Sequence, residues 1–349
     1  MQVEGELIFE DLISELPPKG FPISKEELQN LIIAETEANE PDVYRTSPSH
    51  VRSVERRVAG FDNFIWQDEN GIKYSGLSIK GGNWTMPRIQ YPANMEGFRY
   101  FGLEIAKDAA RTIKMQKRYA QLGVPTERVI AVLMPKFIYM PDGRKLTQEE
   151  YKVEVRASFQ TSARSFLTTE AELDQFLEED IIIVLRAMPI SFRLNDFKHL
   201  DADMIVDSFN KEVNKLQLLG MLPFDIDLSD GKRVFKEYLL RKLPIALGKN
   251  LATLHSNKIT HGSLHLGNIG LDGSIVDLDT STEYSTDSLE FKKELTSELT
   301  LLEDDLKRFL NNFQKLGLIA EKDKVNFLLD LSESYERVMH KNKAAVPLN

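Results

Sequence analysis

No cysteine occurs anywhere in the 349 residues. Disulfides and thiolate–metal centres are therefore excluded, and a reducing compartment is the simplest setting. Long apolar runs are missing as well. The densest, at 181–185, is far shorter than the ~20 residues that cross a bilayer. Basic residues are in deficit, 44 Lys and Arg against 54 Asp and Glu, and the formal net charge is −10. That balance argues against a chain that coats nucleic-acid phosphates, while leaving room for a local basic pocket. The opening stretch MQVEGELIFEDLISEL is acidic and lacks the charged-then-apolar pattern of a secretory signal. No internal repeat or low-complexity segment is present. The expectation is a cytoplasmic protein with neither a membrane nor a nucleic acid as partner.

What remains is 42% hydrophobic and 28% charged, enough to bury a sizeable core spread over two or three subdomains. Residues 1–50 hold two short helical patterns, 7–16 and 25–37, separated by the breaker Pro17-Pro18-Lys19-Gly20. They are expected to form an N-terminal helical extension. From Asn63 the pattern changes: NFIWQ, the turn DENG and then YSGLSIK read as a hairpin ending at Lys80. A helix over 98–122 follows, with Phe98, Phe101, Ile105 and Ala109 on one stripe and Gly123 as its stop. Strands are expected at 128–134, 152–156 and 180–186. Beyond Asp196 the chain turns helical. One helix opens near Pro244 with Leu247, Leu251 and Leu254 aligned, and two amphipathic helices fill 289–340. Their stripes run through Leu295, Leu299, Leu302, Leu306, Phe309 and Phe313, and through Val325, Leu328, Leu329 and Tyr335. The fold class is α+β and bilobal, with a strand-rich lobe at 51–197 and a helical lobe at 198–349.

The chemistry concentrates in LATLHSNKITHGSLHLGNIGLDGSIVDLDTST, residues 251–282. Kinase-type phosphate chemistry needs a rigid loop that presents an acid or base and metal ligands beside a nucleotide. Its usual form is His-x-Asp-x4-Asn, then an Asp after a short strand. Here His261 and Asn268 stand seven apart, and Asp277 follows the strand-like Ser274–Val276. Asn268 and Asp277 supply hard oxygen ligands suited to Mg²⁺. Ser263 occupies the position of the kinase aspartate, and a hydroxyl accepts a proton poorly near neutral pH. Asp279 and His265 are the nearby candidates for a catalytic role alongside Ser263. The preceding LHSNKITHG resembles the helix-to-loop join of aminoglycoside phosphotransferases and small atypical kinases.

Several pieces in shared order resemble the selenoprotein O family, kinase-fold proteins that transfer AMP from ATP to protein hydroxyls. They are LSIKGGN at 77–83, LGVPTERVIAVL at 122–133, IIIVLRAMPISFRLNDF at 181–197 and HGSLHLGN…VDLD at 261–279. The nine-residue gap from Asn268 to Asp277 matches that family. The resemblance implies a protein-kinase-like fold with Mg²⁺ and ATP as cofactors. It gives Lys80 a phosphate, oriented by Glu104, and it gives Arg186 and Arg193, seven apart, a clamp on the terminal phosphates. Arg156 is a rival for that clamp. The family's proposed base, just before the metal Asn, is Gly267 here.

Three functions stay open on these residues. The first is a nucleotidyltransferase moving AMP to a hydroxyl on a protein, peptide or small molecule. The second is a small-molecule phosphotransferase, and the third a catalytically inactive, nucleotide-binding pseudokinase scaffold.

Overall fold

The computed structural model describes residues 5–7, 18, 20–22, 50–52, 58–61, 65–80, 104–135, 137–139, 145–161, 174, 177–190, 192–198, 200–218, 220 and 230–344. Its strands are β1 (Gly5–Leu7), β2 (His50–Arg52), β3 (Val58–Phe61), β4 (Trp66–Gln67), β5 (Lys73–Tyr74), β6 (Gly76–Lys80), β7 (Glu104–Ile105), β8 (Arg128–Pro135), β9 (Ile138–Tyr139), β10 (Lys145–Leu146), β11 (Ile181–Met188), β12 (Ile259–Thr260) and β13 (Thr282–Glu283). Its helices are α1 (Ala106–Gln121), α2 (Gln148–Thr161), α3 (Ala202–Leu218), α4 (Gly231–Glu237), α5 (Leu243–Ser256), α6 (Leu289–Lys315) and α7 (Glu321–Ala344). The chain is mixed α and β, and no described helix is long and apolar enough to cross a membrane.

It divides into two compact units, one of 1–68, 76–113 and 128–188, the other of 69–75, 114–127 and 189–349. The expected division at 197/198 therefore moves to 188/189, and two short segments join the second unit. Gly5–Leu7 is a strand, antiparallel to β8, where the sequence pattern placed a helix from Leu7. The rest of both patterns lies outside the described residues.

The first unit is built on a sheet in the order β1-β8-β11-β6-β3-β2, with β7 also paired to β11. β11 is central because its run IIIVLRAM opens on four β-branched residues and is apolar on both faces apart from Arg186, and all eight residues are buried. Ile182 and Val184 pack with Val129 and Val132 of β8 and with Ala109 and Ile113 of α1. The end of α1 falls where Gly123 was expected to stop it, with Gly123 at φ +69° and its N–H bonded to the Ala120 carbonyl. Its start does not. Glu104 and Ile105 form a strand instead, and the helix opens at Ala106 with that N–H on the Asp180 carbonyl. Phe98 and Phe101 lie outside the described residues. The strand expected at 152–156 is also corrected: those residues belong to α2. The alternation in KVEVR is overridden by a reciprocal cap, in which the Thr147 hydroxyl accepts from the Glu150 N–H and Glu150 Oε2 accepts from the Thr147 N–H. Val153 is consequently exposed.

The second unit is helical. Phe197, Phe209, Phe235, Phe309 and Phe313 cluster at its centre in tilted and edge-on pairs, the closest being the tilted pair Phe309 and Phe313 at 4.3 Å between ring centroids. α4 runs into α5 through a π turn at Tyr238–Lys242. Pro244 explains the widening, because it cannot donate to Leu240 and its ring would collide with that carbonyl in a regular α-helix. Leu247, Leu251 and Leu254 are buried as expected. In α7 the stripe is shifted. Phe327 is buried, while Val325 and Leu329 are 49% and 52% exposed.

α5 and α7 approach closely at Gly248, where an added Cβ would stand 2.5 Å from the Leu331 carbonyl oxygen. Glycine-to-alanine changes inside helices ordinarily stabilise by about 0.5–1 kcal/mol. Gly248→Ala is expected to do the opposite, costing roughly 1–3 kcal/mol through overpacking, read as a lower denaturant midpoint.

Candidate functional site

Residues 259–283 form a loop closed at its base by β12 and β13, with Ile259 opposite Glu283 and Thr260 opposite Thr282. Inside it lies a tight hairpin. Ile269 bridges Ile275, and the Val276 N–H bonds to the Asn268 carbonyl. This pairing sets Asn268 across from the residue that precedes Asp277, so the two expected metal ligands, nine apart in sequence, become neighbours in the hairpin.

The hairpin is held from both sides by chain segments that pair along it. On one side the Leu194 N–H reaches the Ile269 carbonyl, the Leu271 N–H reaches the Phe192 carbonyl, and Arg193 bridges Gly270. On the other, the Ile275 N–H bonds to the Pro125 carbonyl and the Thr126 hydroxyl donates to the Ile275 carbonyl at 2.5 Å. Glu127 Oε1 then accepts the Leu278 N–H at 3.3 Å. Parts of two segments singled out in the sequence, 125–127 and 192–194, are thus the straps of this hairpin.

Asn268 is 3% exposed, and its Nδ2 donates to the Ser263 carbonyl at 2.9 Å. Asp277 sits at φ +72°, ψ +61°. Among the described residues only it and Lys258 are non-glycine residues with positive φ, and a backbone held there signals a local constraint. Asp279 is half-buried in the 3₁₀ turn Leu278–Thr280. Ser263 is half-buried too, and its N–H donates to His261 Nδ1 at 3.3 Å. His261 is fully buried, and its Nε2 lies 2.9 Å from the Val276 carbonyl. The carbonyl can only accept, so Nε2 carries the proton, and the residue is a brace between the two ends of the loop.

His265 caps the 3₁₀ turn Leu266–Asn268, its Nδ1 accepting the Gly267 N–H at 3.0 Å. Its Nε2 lies 3.4 Å from Asn268 Nδ2. Partial burial pushes its pKa down. The Asp277 charge opposes that shift, whereas His261 and Arg193 reinforce it.

The two arginines of the expected clamp belong to different units. Arg193 is buried, and its Nη1 donates to the Gly267 carbonyl at 2.6 Å, so it braces the turn that carries Asn268. Arg186 belongs to the sheet unit, opposite Ser78 on β6 and Val129 on β8. It is 1% exposed, with Nη2 3.3 Å from the Ser78 hydroxyl. Lys80 ends β6 opposite Val184, and Glu104 pairs with Ile182, two residues along the same strand. Arg156 stands on α2 and makes an exposed ion pair with Asp174 at 2.6 Å.

One residue central to the loop escaped the sequence reading. Glu298, 5% exposed on α6, accepts the N–H groups of His261 and Gly262 at 2.7 and 2.8 Å with Oε2. Its Oε1 lies 3.0 Å from His255 Nε2, and His255 Nδ1 lies 2.9 Å from the Tyr335 hydroxyl. Burial alone would raise the Glu298 pKa, but the hydrogen bond and charge of His255, the charge of His261 and the Gly262 N–H outweigh it, and the pKa falls below its ordinary value. Burial and the Glu298 charge push Tyr335 up to about 12. Among the described residues no group of three or more His, Asp or Glu is disposed to hold a metal ion. No family model matches the chain, and no curated protein does.

Proposed function

We propose that this chain is a Mg-ATP-dependent nucleotidyltransferase with a bilobal, kinase-like fold, similar to the selenoprotein O family, moving AMP to a hydroxyl of a protein, peptide or small molecule. The observation that carries the reading is the strapped hairpin, which makes neighbours of Asn268 and Asp277 and fixes the backbone of both.

The donors suit the metal. With Nδ2 of Asn268 committed to the Ser263 carbonyl, Oδ1 is the atom left for a cation, and Asp277 adds a carboxylate. Two protein oxygens with the remainder from phosphates and water is how Mg²⁺ is ordinarily bound. When present it would neutralise phosphate charge. The chain's own part is positioning. Lys80, oriented by Glu104, holds a phosphate, while Arg186 is the remaining candidate of the expected clamp. The acceptor oxygen bonds to the α-phosphorus, the bond to the β-phosphate oxygen breaks, and pyrophosphate leaves. The hydroxyl proton passes to solvent or Asp279. In such a transfer positioning and charge neutralisation carry most of the acceleration. The absence of a carboxylate at 263 and 267 then slows the reaction by roughly 10²–10⁴ without abolishing it.

Ser263 and Gly267 also favour a second reading, a nucleotide-binding scaffold without catalysis. Incubating the protein with Mg²⁺ and ATP labelled at either the α- or the γ-phosphate separates the readings. α-Label on the acceptor is the expected result. γ-Label would instead mark a phosphotransferase, and binding without either label the scaffold.

A further inference from the structure

We propose that His265 presents its Nε2–H to a phosphate oxygen of the bound nucleotide, as a hydrogen-bond donor beside Asn268 rather than a proton acceptor. The role rests on the nucleotide reading above, but its geometry does not.

Nδ1 of His265 faces the Gly267 N–H at 3.0 Å. A nitrogen that accepts there carries no proton, so the ring's single proton sits on Nε2. An imidazolium would turn one N–H against another. The ring is seated rather than swinging: a Cβ at position 267 would stand 2.7 Å from Cε1 and 2.9 Å from Nδ1 of His265. Glycine at 267 is therefore the space in which the imidazole lies. The side chain that position lacks is replaced, in place, by one from two residues earlier.

Nε2 then points its proton toward the Asn268 amide, 3.4 Å away. Nδ2 of Asn268 has two hydrogens, and one is used on the Ser263 carbonyl. The second and the Nε2–H of His265 converge without satisfying each other, because both are donors. Two converging N–H groups beside Asp277 are complementary to an anionic oxygen. His265 is exposed, so a ligand reaches this edge. The same geometry removes His265 as a base, since its one lone pair is occupied by a backbone N–H.

Two measurements on the full chain test the role. In the free protein, long-range ¹H–¹⁵N correlation should report the Nε2–H tautomer for His265, and an Nδ1–H tautomer would overturn the assignment. Mg-ATP titration should show His265→Ala weakened about tenfold or more, the size of one hydrogen bond to a charged oxygen. His265→Gln, which keeps an amide N–H at similar reach, should recover most of that loss. Weaker nucleotide binding marks a donor. A lower kcat with unchanged nucleotide affinity would mark a base and overturn the proposal. Wild-type protein that binds no Mg-ATP would overturn the nucleotide reading and this role with it, whereas wild-type binding undiminished in His265→Ala overturns this role alone. The seating of the ring has its own check: Gly267→Ala should weaken Mg-ATP binding in the parent but not further in His265→Ala. Equal losses in both backgrounds would contradict it.

Discussion

Replacing Asp277 with alanine is expected to remove Mg²⁺-dependent ATP binding and to lower AMP transfer by at least about a hundredfold, the scale on which single charge-stabilising groups act. The informative companion is Asp277→Gly. The backbone at 277 lies in the left-handed region, φ +72° and ψ +61°, where a residue with a Cβ carries roughly 1 kcal/mol or more of strain. Glycine relieves that strain while deleting the carboxylate. The neighbouring Leu278 N–H keeps its acceptor on Glu127, so the turn retains its anchor. Asp277→Gly should therefore melt above Asp277→Ala and still be inactive. A glycine variant that transfers label would end the metal-ligand assignment. One that unfolds would make the carboxylate a structural group. Loss of activity in a variant more stable than Asp277→Ala separates the chemistry of the carboxylate from the strain of its backbone.

Sequence periodicity locates the elements that packing alone dictates. β11 and β8 were visible because their apolar, β-branched runs are short and sharply bounded, and α6 because its stripe of Leu302, Leu306, Phe309 and Phe313 is buried as spaced. It misleads where a local interaction outweighs the pattern. KVEVR alternates like a strand, yet the Thr147–Glu150 cap commits it to a helix. Glu104 has helical neighbours in sequence, yet its backbone pairs with Ile182. Spacing singled out Asn268 and Asp277, and a hairpin of fixed length brings the two near each other because it sets which residues lie across from each other. Roles for arginines are less legible. Arg193 keeps its spacing from Arg186, but its guanidinium reaches a backbone carbonyl of the loop rather than an open surface, and no spacing encodes that.

The supports of the site left fainter signals. Glu127 follows Thr126 just before β8, a buried acid in the stretch LGVPTERVIAVL, in which the sequence reading gave it no role of its own. Glu298 had a readable mark: it falls on the stripe of Phe291, Leu302, Leu306 and Phe309, where the helix turns its buried face. A carboxylate at an apolar position is the exception that calls for a partner. Here it has three donors, two of them on the backbone of the loop itself.

Glu298→Ala is the second substitution with a large expected effect. It strips the acceptor from the N–H groups of His261 and Gly262 and from His255 Nε2 together. Breaking a buried, hydrogen-bonded pair costs about 3–5 kcal/mol, a large share of the ~5–15 kcal/mol that holds a domain folded. Glu298→Gln is the milder change: its amide oxygen still accepts from the two loop N–H groups, and its NH₂ donates to His255 Nε2 once that ring holds its proton on Nδ1, facing the Tyr335 hydroxyl. The ionised form also fixes a pH dependence. Because the folded pKa lies below the ordinary value, the contribution is fully present above the unfolded-state pKa of about 4.3. It is lost as pH falls through the folded value. Denaturant midpoints should therefore decline below about pH 4.5 in the parent, and less steeply in Glu298→Gln, which has no proton to take up there. Parallel declines in both proteins would mean that other carboxylates govern acid stability and that Glu298 holds the loop as a neutral acid. Ligation separates the loop from the rest of the fold. If Glu298 acts by fixing the backbone at His261 and Gly262, Glu298→Ala should lose Mg-ATP affinity at neutral pH under conditions where it is still folded, whereas Glu298→Gln, whose amide oxygen still accepts there, should keep most of it.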